Sequence, residues 1–139
     1  MSRARFVSGL LSAFMVALGL AGCGKSGPEI LAVSGVVTLD GQPLDQARVV
    51  FVPAKGRPAV GLTDAKGAYQ LQFTEDRWGA TAGPHKVMIT TERSQTGGEG
   101  SPLVPGRKEL LPKRYHETTE LQATVAPDKQ TFDFALTSK

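Results

Sequence analysis

The side chains best suited to bind a metal ion are two tyrosines and two histidines, Tyr69, His85, Tyr115 and His116. Tyr115 and His116 are adjacent, so in an extended chain their side chains point to opposite faces and cannot share one ion. Tyr69 lies on the apolar parity of a predicted strand, which indicates a core position with its hydroxyl at the rim. The sequence has no His-x-His pair, and its acidic residues lack calcium-loop spacing. We therefore predict no metal site and no cofactor.

Serines are the candidate nucleophiles beyond residue 23. They occupy positions predicted to be tether, strand edge, loop or tail, at Ser26, Ser34, Ser94, Ser101 and Ser138. None of them stands in Gly-x-Ser-x-Gly, the turn that exposes a catalytic serine in many hydrolases. The sequence therefore predicts a protein that is not an enzyme, with an enzyme of unrecognised type as an alternative.

The single cysteine, Cys23, follows a segment with the composition of a secretory signal. Arg3 and Arg5 make the start of the chain positive, residues 6–20 are almost wholly apolar or small, and small residues precede the cysteine. The apolar run is shorter than the roughly 20 residues that span a bilayer comfortably. One cysteine also excludes an intrachain disulfide. We predict a signal peptide at residues 1–22.

The sequence Leu20-Ala21-Gly22-Cys23 resembles the lipobox of bacterial lipoproteins. In that family the cysteine is acylated and becomes the first mature residue, so the resemblance implies attachment to a membrane through Cys23. Each buried CH₂ of the lipid would contribute about 0.8 kcal/mol. An ordinary signal peptide that ends in cysteine is the alternative. Gly24 replaces the aspartate of the enteric inner-membrane sorting signal, which implies the outer membrane, facing the periplasm or the cell surface.

The charge balance argues against a nucleic-acid partner. The formal charge is +3, with 16 Lys and Arg against 13 Asp and Glu. Arg3 and Arg5 belong to the predicted signal peptide, so fourteen basic residues face thirteen acidic ones in the remainder. Nucleic-acid binders concentrate a basic stripe and usually add stacking aromatics, whereas the basic residues here are scattered. The nearest cluster is Arg107-Lys108 with Lys113-Arg114.

Residues 23–32 are polar and glycine-containing, which predicts a flexible tether, and residues 33–139 are predicted to form one β domain. Alternation of apolar and polar residues is typical of half-buried strands. We expect residues 33–39 and 44–53 to form adjacent antiparallel strands around the Asp40-Gly41 turn. Five further strands are predicted at residues 59–63, 68–73, 84–91, 120–125 and 131–136, with Val60, Leu62, Tyr69, Leu71, Phe73, Val87, Ile89, Phe132, Phe134 and Leu136 pointing inward.

Residues 92–114 interrupt the strand pattern with four glycines and three prolines. A connection of this length is usually a functional or a disordered loop. Because it has few large apolar residues, ordering it would cost conformational entropy without burying a core. We predict a mobile segment from about Ser94 to Gly106, followed by docking of Leu110-Leu111-Pro112 onto the domain.

The segments 35–44, 47–53, 63–69 and 83–87 resemble the carboxypeptidase regulatory-like domain. That family adopts a seven-stranded antiparallel β-sandwich of the transthyretin, or prealbumin, type, so the resemblance implies this all-β fold over about residues 33–136. Together with the lipobox, it is similar to small bacterial lipoproteins of unassigned role. Transthyretin-like hydrolases carry a C-terminal Tyr-Arg-Gly-Ser, which this chain lacks. The matching positions are turn and core residues, so they support the fold more than any activity.

These patterns predict a lipid-anchored envelope protein that acts as a non-enzymatic binding or structural module and is a monomer. The partner would be an envelope protein or a polysaccharide. An alternative is a ligand-binding accessory to transport or polysaccharide use, in which Trp78 and the long loop form the site. We expect Trp78 to cover one end of the core, with stacking on a sugar or a partner as the alternative. The candidate contact residues are Trp78, Arg107, Lys108, Lys113 and Arg114.

Overall fold

The computed structural model describes residues 27–139, so the predicted signal peptide and Cys23 lie outside the described part of the chain. The regular secondary structure of the described residues is almost entirely β. The strands are β1 (Ile30–Leu31), β2 (Ser34–Leu39), β3 (Gln42–Pro43), β4 (Arg48–Pro53), β5 (Ala59–Leu62), β6 (Ala68–Gln70), β7 (Gln72–Thr74), β8 (Arg77–Trp78), β9 (Ala80–Thr81), β10 (Gly83–Thr90), β11 (Thr96–Gly98), β12 (Ser101–Val104), β13 (Gln122–Val125) and β14 (Phe134–Leu136). A short 3₁₀ helix spans Lys113–Tyr115. In residues 27–139, no helix is long and apolar enough to cross a membrane.

Two main sheets organise these strands. The larger has the order β13-β10-β4-β5-β7-β8, and the smaller has the order β14-β2-β3, with β6 also paired to β2. The predicted strand at residues 68–73 is divided between them, because β6 pairs with β2 while β7 pairs with β5. The pairs are antiparallel except that β14 runs parallel to β2. The all-β prediction is therefore confirmed, with a parallel pair where antiparallel pairing was expected.

The predicted hairpin between residues 33–39 and 44–53 does not form. The Asp40-Gly41 turn is present, with positive φ angles of 50° and 81°, but it joins β2 only to the two residues of β3. The chain then crosses to the other sheet, where β4 pairs with β10 and β5. Gln46 takes a positive φ of 52° in this crossover, so residues 44–47 leave the extended conformation that alternation alone predicted.

Apolar residues from both sheets meet in one hydrophobic cluster. Phe51 of β4 is fully buried and packs edge-on against Phe132 and Phe134, with ring centroids 5.7 Å and 6.3 Å apart. Most predicted inward residues are buried, with Phe73 only partly so. The predictions for Val60 and Leu62 are wrong, because both side chains point outward and Leu62 is 63% exposed.

Two segments expected to lack regular structure contain strands. Ile30 and Leu31, assigned to the tether, pair with Thr81 and Ala80 of β9. Within residues 92–110, a segment called the excursion here, β11 and β12 form a hairpin whose strand residues are all exposed. The prediction that the chain docks onto the domain after the excursion is confirmed for Leu111, which is 5% exposed. It is wrong for Leu110, which is 54% exposed.

Candidate functional site

An open groove of about 780 Å³ lies on the outer surface, where the edges of the two main sheets meet. Val60, Leu62 and Trp78 line it with apolar surface. Trp78 is 59% exposed, so the expectation that it covers the core is wrong. Exposed large apolar residues gathered around one concave surface are typical of a binding site rather than of a packing defect.

The apolar residues of β5 face the groove because small or polar residues occupy the inward positions. Gly61 is inward, and a Cβ there would lie 2.6 Å from the carbonyl oxygen of Gln70. Thr63 is buried and its hydroxyl donates a 2.5 Å hydrogen bond to the carbonyl of Leu44. Glycine in a strand often marks a close backbone approach, and here that approach reverses the parity that hydrophobicity predicts.

Backbone contacts of its neighbour fix the position of Trp78. Gly79 has a φ of 119°, a conformation that glycine adopts at little cost. Its amide donates a 2.7 Å hydrogen bond to the carbonyl of Leu71. A Cβ at Gly79 would lie 2.1 Å from the carbonyl oxygen of Leu31, so β1 packs directly behind the tryptophan. The backbone next to Trp78 is thus held by strands on two sides, while the indole itself remains exposed.

A buried tyrosine supports the opposite wall of the groove. The hydroxyl of Tyr69 donates a 2.7 Å hydrogen bond to the carbonyl of Phe132, while the amide of Val36 donates a 2.8 Å hydrogen bond to Oδ1 of Asp133. Burial, with the negative charge of Asp133, raises the pKa of Tyr69. The phenol therefore stays neutral at physiological pH, which suits a structural donor.

Arg107, predicted as a partner contact, instead ties the excursion to the domain. Its Nε donates a 2.8 Å hydrogen bond to the carbonyl of Thr91, and its Nη2 donates a 2.8 Å hydrogen bond to the carbonyl of Gln46. The backbones of Arg93 and Arg107 also pair with each other. The guanidinium uses its donors inside the protein, so it is a structural element of the excursion.

The other basic candidates are spread over different environments. Lys108 is exposed, and Lys113 forms a surface ion pair with Glu117 at 3.3 Å. Arg114 donates a 2.7 Å hydrogen bond to the hydroxyl of Thr137 and lies over the ring of Tyr115. The structure therefore engages Lys113 and Arg114 in contacts with the chain itself and leaves Lys108 exposed.

The two histidines and Tyr115 serve separate structural contacts. His85 is 4% exposed, with Nδ1 3.0 Å from the carbonyl of Gly83 and Nε2 3.1 Å from the hydroxyl of Thr81. His116 contacts the carbonyl of Leu111. Burial lowers the pKa of His85. Among residues 27–139, no group of three or more His, Cys, Asp or Glu side chains converges on a possible metal position.

Trp78 and the excursion are parts of different surfaces. None of the residues that line the groove comes from residues 92–110. The excursion follows the end of β10, whereas β1 reaches the start of β10 through the 3.0 Å hydrogen bond from Ala82 to Glu29. Seven steps along an antiparallel strand cover about 24 Å. The alternative hypothesis requires Trp78 and the long loop to form a single site. In the described structure they lie on different surfaces, so they do not form one.

Sequence reasoning found Trp78 but missed the rest of the groove. The inward parity of Tyr69 and Leu71 places Gln70 and Gln72 on the outer face, and Asp133 falls in the predicted strand at residues 131–136, but neither pattern indicates that these side chains lie beside Trp78. Gly61, between two apolar residues of a short strand, was the available signal, because it marks a site where another backbone approaches closely. That signal does not say which segment approaches.

Comparisons of the chain with protein-family models, with curated protein sequences and with solved structures found no match. The functional assignment therefore depends on the chemistry of the chain's own residues.

Proposed function

We propose that this protein is a non-enzymatic binding module of the bacterial cell envelope, anchored by a lipid on Cys23. The observation that supports binding is the exposure of Leu62 and Trp78, next to the half-buried Val60, around one groove. The buried imidazole of His85 and the carboxylate of Glu109 are engaged in hydrogen bonds within the domain. A non-catalytic role agrees with that use of the titratable groups.

The resemblance to lipoproteins with a carboxypeptidase regulatory-like domain extends the proposal. The arrangement would be a transthyretin-like sandwich, held as a monomer at the outer membrane and facing the periplasm or the cell surface. A partner would be an envelope protein or a polysaccharide. The nearly balanced charge beyond residue 22 supports the exclusion of nucleic acid.

An anchor at Cys23 would also orient the domain. The chain enters through β1, which lies near the start of β10, and the excursion begins after the end of β10. The exposed hairpin of the excursion would therefore project away from the anchoring membrane. The groove beside Trp78, whose strand packs on β1, would be closer to the point of entry.

The lipid anchor is tested by metabolic labelling with a palmitate analogue in a bacterial host. The wild-type chain should be labelled and should fractionate with membranes, whereas Cys23→Ala should be unlabelled. A Ser26→Ala variant is the matched control, because it changes a small polar residue three positions later. Equal labelling of wild type and Cys23→Ala would refute the anchor.

The binding role is tested through the fluorescence of Trp78, the only tryptophan in the chain. An exposed indole is quenched efficiently by acrylamide, and an occupied groove should protect it. A soluble extract of the host envelope should reduce quenching in the full chain. If no envelope fraction changes the quenching of Trp78, the groove is not the binding surface and the proposed function fails.

A further inference from the structure

The groove has a row of outward side chains from residues in cross-strand register. Gln72 of β7 pairs with Val60 of β5 on one side and with Trp78 of β8 on the other. Directly opposed residues of adjacent strands project to the same face, so an aliphatic group, an amide and an indole form one row. Leu62 lies two residues from Val60 and extends the apolar part of the row. A row of this kind can cover one face of a planar or ring-shaped ligand.

Two carboxylates at the groove are held in place by backbone donors. Oδ1 of Asp64 accepts hydrogen bonds from the amides of Lys66 and Ala68, at 2.8 Å and 3.0 Å. Oδ1 of Asp133 accepts the 2.8 Å hydrogen bond from Val36. Within residues 27–139, Oδ2 of each carboxylate has no hydrogen-bond partner. Each carboxylate therefore has one oriented acceptor oxygen left for a ligand.

The glutamine amides add to the acceptor character of the groove. Nε2 of Gln72 donates a 3.1 Å hydrogen bond to the carbonyl of Glu75, so its Oε1 remains as an acceptor. Gln70 is exposed and offers both a donor and an acceptor. The polar groups of the groove thus match a ligand that donates several hydrogen bonds.

The charges of the lining select against an anion. Asp64 and Asp133 line the groove together with neutral residues, and no Lys, Arg or His is among the lining residues of the described chain. Arg48 and Arg57 line an adjoining cavity of about 460 Å³ on the far side of Val60 and Leu62. The charged residues in the lining of the groove itself are Asp64 and Asp133, so a carboxylate or phosphate placed between them would be repelled.

An extended peptide fits this surface less well. Peptides that add to a sheet use the unpaired backbone of an edge strand. The row beside Trp78 instead consists mainly of outward side chains on β5 and β7, whose backbones are already paired with neighbouring strands, and the edge strand β8 offers only two residues. The surface offers side-chain acceptors and an aromatic face, which correspond to the hydroxyl groups and the C–H faces of sugar rings.

We propose that the groove beside Trp78 binds an uncharged oligosaccharide segment of a polysaccharide, with the indole against a sugar ring and Asp64, Asp133 and Gln72 accepting hydrogen bonds from its hydroxyl groups. The volume of about 780 Å³ lies within the range of about 300–1,000 Å³ that is typical of small-molecule sites. This inference rests on the proposed function as a binding module and specifies its ligand class.

The test uses the full chain, purified in a zwitterionic detergent that has no sugar headgroup. Emission of Trp78 and its quenching by acrylamide are followed while three neutral hexasaccharides are titrated, namely cellohexaose, maltohexaose and the β-1,4-linked hexamer of N-acetylglucosamine. Hexagalacturonate and a lysine-rich peptide of similar mass are the comparison ligands. At least one neutral hexasaccharide should shift the emission and protect the indole, and neither comparison ligand should do so.

Variants identify the contacts by calorimetric titration with the hexasaccharide that binds. Trp78→Ala should weaken binding about tenfold or more, because truncation of a central aromatic contact commonly costs that much. Gln72→Ala should weaken it severalfold. Leu103→Ala is the matched control, because Leu103 is 61% exposed but lies on β12, outside the groove, and it should bind like wild type. Circular dichroism should show the same fold for all three variants.

The outcomes separate this inference from the proposed function. Protection of Trp78 by an envelope extract, without protection by any neutral hexasaccharide, would overturn the oligosaccharide ligand and leave a binding module. Stronger protection by hexagalacturonate or by the peptide would overturn it in favour of an anionic glycan or a protein partner. Unchanged affinity in Trp78→Ala would show that the sugar binds elsewhere and would also overturn it.

Discussion

The hydroxyl of Thr91 donates a 2.6 Å hydrogen bond to Oε1 of Glu109 and accepts a 2.8 Å hydrogen bond from the amide of Leu110. The Glu109 carboxylate also accepts hydrogen bonds from the amides of Thr91 and Leu111. Thr91 is the residue after β10 and is 1% exposed. The two ends of the excursion are therefore joined through one carboxylate and one hydroxyl, which explains how an exposed hairpin is held on the domain.

Glu109→Gln should lower the free energy of unfolding by about 1–2 kcal/mol at pH 7, because it weakens charge-assisted hydrogen bonds at a partly exposed site. Burial opposes ionisation, but the hydrogen bonds from Thr91, Leu111 and Glu92 outweigh it and lower the pKa of Glu109. The unfolded chain then binds more protons between the lowered pKa and the ordinary value of 4.5. The contribution of ionised Glu109 to the free energy of unfolding is therefore fully present above pH 4.5 and is lost as the pH falls through the folded-state pKa.

Urea denaturation at pH 7 and at pH 3 measures this effect. The difference between wild type and Glu109→Gln should be largest at pH 7 and should shrink in acid. Glu99→Gln, on the exposed turn of the excursion, is the matched control. A difference that stays constant from pH 7 to pH 3 would contradict the role of the ionised carboxylate.

Arg107→Ala should lower the free energy of unfolding by about 1–2 kcal/mol, since it removes the donors to Thr91 and Gln46. Lys108→Ala should change it by less than about 0.5 kcal/mol, because Lys108 is exposed. Thermal unfolding of the two variants side by side provides the measurement. Equal stability of both variants would show that Arg107 is free for a partner, as the sequence alone suggested.

Phe51→Ala should lower the free energy of unfolding by about 3–5 kcal/mol, because the ring is fully buried and packs against Phe132 and Phe134. A typical domain has only about 5–15 kcal/mol of stability, so the soluble yield should fall. Leu62→Ala should be nearly neutral, because Leu62 points into the groove. Chemical denaturation compares the two, and a large loss for Leu62→Ala would mean that β5 has the parity predicted from hydrophobicity.

His85 should make the domain less stable in mild acid. Burial lowers its pKa below the ordinary value of 6.5, against the opposing effect of the Gly83 carbonyl. Between the lowered pKa and pH 6.5 the unfolded state binds more protons, so the free energy of unfolding rises with pH in that window. Protonation of the imidazole would also remove the acceptor that Nε2 offers to Thr81.

The pH effect is measured by urea denaturation from pH 7.5 to pH 5 and by NMR titration of the imidazole. In His85→Gln, the free energy of unfolding should rise less with pH in this window than it does in wild type. In His116→Gln, it should rise with pH as in wild type. A His85 imidazole that titrates at or above pH 6.5 in the folded protein would contradict this prediction.

The sequence by itself determined the β class, the buried parity of Val87 and Ile89, and the Asp40-Gly41 turn. These features depend on local backbone preferences and on period-two alternation, which act over a few residues. These features can be predicted from the sequence because each depends on residues that are close together in the chain. The docking of Leu111 followed from the same logic, since it is an apolar residue at the end of a polar segment.

Only the tertiary structure decided which strands pair and what the groove contains. The crossover at Gln46, the division of residues 68–74 between two sheets and the outward turn of Val60 and Leu62 all depend on backbone approaches between distant segments. The internal use of Arg107 likewise depends on carbonyls that lie 16 and 61 residues away. Alternation reports that one face of a strand is apolar, but the segments that cross over that strand decide whether the face is covered.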